Sequence, residues 1–474
     1  MTRPGEAGPR GMMTRPGEAG PRGMMTRPGE AGPRGIMTPN RFYIEEAAQH
    51  EGQTVTVRGW VYNKRSSGKI KFLMMRDGTG LMQGILFKGE CSEDAFNDFE
   101  KLTQESAFEA TGKIRKDRNG NFEMGVETLK IVHIAETYPI SPKEHGVEFL
   151  MENRHLWLRS RKQWAAIRVR AEIIRAISEF FDKRGFVRFD APILTPSSCE
   201  GTSTLFATPY FDEKAYLTQS GQLYGEVGAM AFGKIYTFGP TFRAEKSKTR
   251  KHLTEFWMIE PEVAFADLED NMVLGEQFVE SVVQTVLANR AEELKILERD
   301  LTKLEKMKAP FEKISYDEAL KILEKRGVPI PWGEDFGAPH ETALGEEFGR
   351  PVWVHHMPAE IKAFYFKQSD TVGGPGVKGT GKYALGCDLI APDGYGEIIG
   401  GGQREEDVEV LRRRIAEHKL AEKDYSWYLD LRRFGSVPHS GFGLGLERTV
   451  AMITGVEHVR ETIPFPRMLN TLRP

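Results

Sequence analysis

Only three of the 474 residues are cysteine, and Cys91, Cys199 and Cys387 are spaced for neither a disulfide framework nor a metal cluster. The chain is therefore expected to keep reduced thiols and to work in the cytoplasm. No apolar run approaches the roughly 20 residues that cross a bilayer, and no signal-peptide pattern opens the chain. An excess of charge of one sign is missing too: 65 Lys and Arg face 68 Asp and Glu, for a formal net charge of −3. That balance excludes a globally basic nucleic-acid binder, but not a local basic face that holds a phosphate backbone. What is present is an ordinary globular composition, with length for two or three domains.

The first 36 residues are three near-copies of Met-Thr-Arg-Pro-Gly-Glu-Ala-Gly-Pro-Arg-Gly-Met, the last ending in Ile36. A twelve-residue period so rich in proline and glycine, with so little to bury, builds no packed unit. The copies are expected to be a tandem duplication without a fold, upstream of a working start at Met37. The alternative is a loose arginine-bearing arm that grazes a nucleic acid.

From Phe42 to about Ala135 the pattern changes to short strand-like runs, Val55–Tyr62, Lys71–Met75, Leu81–Phe87 and Ala107–Gly112. Turn signals such as Arg76-Asp-Gly-Thr-Gly80 and Arg118-Asn-Gly-Asn121 separate them, as in a small β-barrel. Arg58, Lys64, Arg65, Lys69 and Phe72 pair positive charge with a ring, which suits phosphates flanking an unpaired base. Each of them alone fits a solvated strand face or a core phenylalanine equally well. A proline-stiffened hinge, Tyr138–Gly146, precedes a periodic helix expected over Trp164–Arg184, with Ile167, Ile173, Ile174, Ile177, Phe180 and Phe181 on one stripe. Gly185 ends it, and a strand runs on to Pro192. Further strands are expected at Lys234–Arg243, His252–Phe265, Val352–His356 and Tyr383–Asp388. Ala291–Lys308 reads as an exposed helix, and Gly-rich Lys367–Lys382 as a mobile loop over a site.

Two arginines stand in distinctive frames. Arg243 lies in Thr241-Phe-Arg-Ala-Glu245, ahead of a basic run and His252-Leu-Thr-Glu-Phe-Trp257; Arg448 closes Gly441-Phe-Gly-Leu-Gly-Leu-Glu-Arg448. An arginine keeps its charge and offers a planar fork of donors, so two aimed at one pocket suit a polyphosphate. Together with Gly185-Phe-Val-Arg-Phe-Asp-Ala-Pro192, these segments resemble motifs 1, 2 and 3 of the class IIb aminoacyl-tRNA synthetases. The likeness runs from about Phe42 to the C-terminus, and its details are nearest the asparagine-specific branch.

The resemblance implies an α+β architecture: an N-terminal OB-fold β-barrel followed by a class II catalytic domain, an antiparallel sheet flanked by helices. It divides the chain into repeats 1–36, an anticodon-binding barrel 37–137, a hinge 138–150 and a catalytic domain 151–474. It further implies a homodimer through motif 1, ATP and Mg²⁺, and tRNA(Asn) as partner. L-asparagine would be activated to its adenylate and passed to the 3′-terminal adenosine. An aspartate-specific or non-discriminating ligase, an ammonia-using asparagine synthetase and a nucleic-acid-binding paralogue without ligation remain alternatives.

Site roles follow from the same resemblance. Arg243 would hold the α-phosphate and the substrate carboxylate, Glu245 the nucleotide, His252 the adenine, and Arg448 the γ-phosphate and the other adenine face. Lys251, Leu253 and Gly445 would complete the ATP site. Glu397 and Asp388, two hard oxygen donors across a turn, would hold Mg²⁺. Glu200 and Gln222, beside Ser220, would take the α-ammonium group, and Arg404 the side-chain carbonyl. Aspartyl enzymes carry a lysine where Gly225 stands and an arginine where Lys362 stands. Glu226 is expected to accept from the asparagine amide and to repel an aspartate carboxylate. Arg58, Lys69 and Phe72 would meet the anticodon, with Phe72 stacked on its middle base.

Overall fold

A computed structural model describes residues 42–141, 143–199, 204–374 and 381–474; the repeats and Glu200 lie outside them. The chain divides at Ser141/Pro142 into two compact units.

In the first unit, β1 (Thr54–Ser67), β2 (Ile70–Arg76), β3 (Leu81–Phe87), β4 (Ala107–Lys116) and β5 (Phe122–His133) close a barrel in the order β1-β2-β3-β5-β4. Period-two alternation sends Val57, Val61, Leu73, Met75, Met82, Leu86, Ala110 and Ile114 inward. The opposite face of β1 and β2 carries Arg58, Arg65 and Phe72, with Arg65 directly across from Phe72. Helix α1 (Glu93–Lys101) packs on the barrel through Ala95 and Phe99, its first turn capped by the Ser92 hydroxyl.

The second unit is built on a mixed sheet. Its strands are β6 (Val187–Arg188), β10 (Lys234–Phe242), β11 (Glu255–Ala264), β12 (Glu312–Ser315), β13 (Val352–Pro358), β14 (Gln368–Ser369), β15 (Tyr383–Ala391), β16 (Gly396–Gln403) and β17 (His439–Gly445). The order is β12-β13-β15-β16-β17-β11-β10-β6, with β14 paired to β15. A small side sheet joins β7 (Leu194–Thr195), β8 (Ala207–Tyr210) and β9 (Glu213–Leu217). Pairs from β13 to β10 are antiparallel, while β6 and β12 add in parallel at the edges.

Helix α2 (Arg161–Lys183) buries Ala165, Ala166, Val169, Ile173, Ala176, Ile177, Phe180 and Phe181. Four of the six expected stripe residues are among them, while Ile167 and Ile174 are only half-buried; α4 (Leu268–Asn289) packs against this helix. Helix α3 (Gln222–Phe232) backs onto β10 and β11. Helix α5 (Ser426–Arg433) and helix α6 (Leu446–Thr454) complete the elements around the site.

Two expectations need correction. Ala291–Lys308 is two short helices, Ala291–Ile296 and Leu301–Glu305, and Leu294, Leu304 and Met307 are fully buried. Its abundant Glu and Lys hid three leucine and methionine anchors spaced for the core. The Lys367–Lys382 segment is not loop throughout, because Gln368 and Ser369 pair with Ala384 and Tyr383; residues 375–380 lie outside the described ones. Among the described residues, no helix is long and apolar enough to cross a membrane.

Candidate active site

Strand β10 ends at Phe242, so Arg243 and Glu245 project from the chain just beyond it rather than from one strand face. The backbone there is tied down on both sides, Arg243 N donating to Thr254 O at 3.0 Å and Ala244 N to Thr204 O at 2.7 Å. The Arg243 guanidinium lies 5.4 Å from the Phe256 ring centre. Across the cleft, Arg448 rises from the first turn of α6, whose N-cap is Gly445, and its Nη1 donates to Glu397 O at 2.7 Å. Arg243, Glu245, Lys251, His252, Leu253, Glu397, Gly445 and Arg448 line this one cleft. The two remote arginines therefore converge.

Details of the cleft follow from its charges. His252 Nε2 stands 3.9 Å from Glu245 Oε2 and its Nδ1 bonds the Thr249 hydroxyl. Burial, then Arg448, pulls the His252 pKa below its usual value, which favours a neutral ring face there. Lys251 is held by Glu341 at 2.8 Å. Glu447 of α6, buried next to Arg448 in sequence, accepts from Trp257 N of β11 at 3.0 Å and pairs with Arg170 of α2 at 2.8 Å, tying these three elements together.

A second cavity of about 280 Å³ shares Arg243, Met258, Glu397 and Gly443 with the first and continues it. Ser220, Gln222, Glu260, Lys362, Asp388 and Arg404 also line it. Asp388 and Glu397 sit on β15 and β16, opposite Gly400 and Ile390. A Cβ on Gly400 would overlap Glu397 Oε1 and lie 3.5 Å from Asp388 Oδ1, so the glycine leaves both carboxylates facing one space. Burial, then Asp388, pushes Glu397 up to about 7. Asp388 is already half-satisfied, since Lys362 Nζ lies 2.7 Å from its Oδ2. Burial opposes the Lys362 charge, but Asp388 and Glu397 raise its pKa above the usual lysine value.

At the far end Arg404 is buried and donates from Nη2 to Glu262 Oε1 at 2.5 Å and from Nε to Glu262 Oε2 at 3.3 Å. Its Nη1 has no partner among the described residues, although a buried guanidinium nitrogen needs one. Glu226 corrects an expectation. It does not line the cavity; its carboxylate is enclosed by Tyr428 at 2.8 Å, Arg432 at 2.6 Å, His439 at 3.0 Å and Gln222 at 3.1 Å. These donors keep it ionised against the cost of burial, Arg432 foremost. Gly225 is buried as well, and a Cβ there would meet Glu262 Cγ at 3.3 Å rather than the open cavity.

Several residues of the site escaped the sequence reading. Glu260 accepts from Gly221 N at 2.8 Å, from the Thr237 hydroxyl at 3.0 Å and from the Ser220 hydroxyl, fixing the loop that enters α3. Glu260 and Glu262 alternate on an otherwise apolar buried strand, and that was the available signal. In the barrel, Arg58 pairs with Glu109 at 3.6 Å, Lys69 is exposed in the β1–β2 turn, and Arg65 lies 4.4 Å above half-buried Phe72. Lys64 is not a free cation: its Nζ donates to Phe99 O at 2.8 Å and Glu100 O at 3.1 Å, the last carbonyls of α1.

A closed OB barrel ahead of a sheet antiparallel but for its edge strands, with paired arginines at a glycine-lined cleft, defines the class II tRNA synthetase architecture. The family model for tRNA synthetases class II (D, K and N) matches residues 146–469, that for the OB-fold nucleic acid binding domain matches residues 55–132, and the chain belongs to the former family. It is 55% identical over 433 residues to the asparagine–tRNA ligase of Desulforamulus reducens, covering 91% of this chain and 99% of that one. It is 56% identical over 436 residues to the asparagine–tRNA ligase of Chloroflexus aurantiacus, 90% and 97% of the two chains. Its structure superposes with a TM-score of 0.87, at 42% identity, on asparaginyl-tRNA synthetase from Pyrococcus horikoshii complexed with asparaginyl-adenylate, covering 93% and 100% of the chains.

Proposed function

We propose that this chain is an asparagine–tRNA ligase that activates L-asparagine with ATP and transfers it to the 3′-terminal adenosine of tRNA(Asn). The observation that carries the reading is the continuous cavity running from Arg448 past Arg243 to Arg404, whose Nη1 has no partner among the described residues.

Adenylation brings an α-carboxylate against a phosphate, two anions, so the work is charge offset and alignment. Arg243 stands where the two cavities meet and holds both. Arg448 takes the distal phosphate and His252 a face of adenine, while Glu245 accepts from the nucleotide. Gln222 and Ser220, and Glu200 on the resemblance, take the α-ammonium group. Arg404 Nη1 donates to the side-chain carbonyl. Half-buried Glu397, and the oxygen of buried Asp388 that Lys362 leaves, suit Mg²⁺, since they are hard donors whose charges are offset only in part. Bound there, the ion would offset phosphate charge.

Arg58, Lys69 and Phe72 on the barrel face meet the anticodon by the charge-and-stack logic of single-stranded RNA binding. A homodimer through motif 1 fits the edge position of β6 and the exposed Val187, Ile193 and Leu194 around Pro192.

Pyrophosphate exchange tests the reading: exchange is expected with asparagine and not with aspartate. Exchange with aspartate alone would replace it with the aspartate-specific alternative.

A further inference from the structure

Behind the side-chain end of the cavity lies a buried ionic network that the activation chemistry does not use. Arg404 shares Glu262 on one side, and on the other its Nε stands 4.0 Å from Glu226 Oε1. Glu226 and Arg432 are wholly buried and 2.6 Å apart. Arg432 Nε donates to Glu405 O at 2.9 Å and its Nη2 to the Tyr428 hydroxyl at 3.1 Å, yet its Nη1 has no partner among the described residues. A buried ion pair with an unsatisfied donor is a poor way to gain stability, because an apolar pair of similar volume does as well or better. The charges have a different use. Two guanidinium groups face two carboxylates, of which burial pushes Glu262 up to about 7 while Arg432 and its neighbours hold Glu226 ionised, so Glu226 is the firm counter-charge of the wall beyond Arg404.

The network also reaches the ammonium end. Gln222 Nε2 donates to Glu226 Oε1 at 3.1 Å, which fixes the amide orientation and leaves Gln222 Oε1 as the acceptor.

We propose that Arg432 is a positioning residue that sets the preference for asparagine over aspartate, by holding Glu226 as an anion behind Arg404. The proposal rests on the functional reading above and adds a residue that never touches the substrate. Without the Glu226 charge, the wall carries a surplus cation and welcomes a carboxylate. Without Arg432, Glu226 becomes a surplus anion that draws Arg404 back from the cavity. Asparagine then binds less well, and aspartate is refused more firmly.

The sign of the effect is the test. Glu226→Gln, Arg432→Met and the double variant Glu226→Gln/Arg432→Met are compared with wild type in pyrophosphate exchange, with melting temperatures checking the fold. Glu226→Gln is expected to lower the asparagine-to-aspartate ratio of kcat/KM at least tenfold. Arg432→Met is expected to raise the asparagine KM at least tenfold with the ATP KM within twofold, and to leave the ratio equal or higher. The double variant restores charge balance and is expected to recover much of the asparagine KM. Arg432→Gln reads the same where the methionine variant does not fold. Ratios that move together in both single variants, or stay at the wild-type value in folded Glu226→Gln, overturn the proposal. Wild-type protein that exchanges with aspartate and not asparagine overturns instead the functional reading beneath it.

Discussion

At the scale of single residues, the site places its charges where reacting groups must be neutralised. Arg448 is anchored to Glu397 O at 2.7 Å and more loosely to Lys251 O at 3.5 Å, and otherwise faces the cleft. Arg448→Ala is expected to reduce asparagine-dependent exchange by about 10²–10³-fold, the cost of one preorganised donor to a charged transition state, with little change in melting temperature. Full exchange activity in a folded variant would place the phosphates elsewhere. Glu397 gives a pH prediction. Its folded pKa of about 7 lies above the ordinary glutamate value of 4.5, so the folded state binds more protons than the unfolded one between those limits. Stability from this group is therefore present at pH 5 and falls as pH rises toward 8, by at most about 3 kcal/mol. Calorimetry of ligand-free protein should show that decline, and Glu397→Gln should flatten it. The arginines, His252 and Glu397 were legible in sequence because motif frames surround them. Glu260, Tyr428 and Arg432 were not, since each acts through a partner between 23 and over 200 positions away.

At the scale of elements, four strands of the barrel and the helix α2 announced themselves by period, with ends shifted by a few residues, while β5 was not read from the sequence. Composition misled where anchors were sparse: charged Ala291–Lys308 hides three buried side chains behind its lysines and glutamates. It misled again at Lys64, which reads as a phosphate contact but serves α1. An ammonium group on the last carbonyls of a helix satisfies orphan acceptors and opposes the negative end of its dipole. Lys64→Met is expected to cost about 1 kcal/mol in urea unfolding and to leave the tRNA KM within about twofold. Phe72→Ala should do the reverse. Loss of a stacking platform, about 1–3 kcal/mol per base, raises the tRNA KM roughly tenfold or more while exchange without tRNA is unchanged. An equal rise in tRNA KM for both variants would show that Lys64 also reaches RNA.

At the scale of the whole molecule, the chain separates chemistry from identity reading. Every residue assigned to adenylation comes from the unit beginning at Pro142, and every residue assigned to the anticodon from the unit ending at Ser141. Each unit has its own apolar cluster, the barrel around Val57, Leu73 and Ile114, the catalytic sheet around Ile177, Phe181, Phe278 and Trp353. A unit with its own core is expected to fold alone. That two-part plan was legible from the switch between short alternating runs and the long period of α2. The network behind Arg404 was invisible, because its members come from α3, β11, the residue after β16, α5 and β17 and meet only after folding. A chain of residues 142–474 should therefore melt cooperatively and retain exchange with asparagine within about tenfold of the full chain. Aminoacylation should fall much further, through the tRNA KM, since the barrel proposed to meet the anticodon loop is gone while the residues of the adenylate site remain. Exchange and aminoacylation measured on the same preparation separate these effects. A fragment that folds but loses exchange and aminoacylation in equal measure would mean that the barrel takes part in building the adenylate site itself.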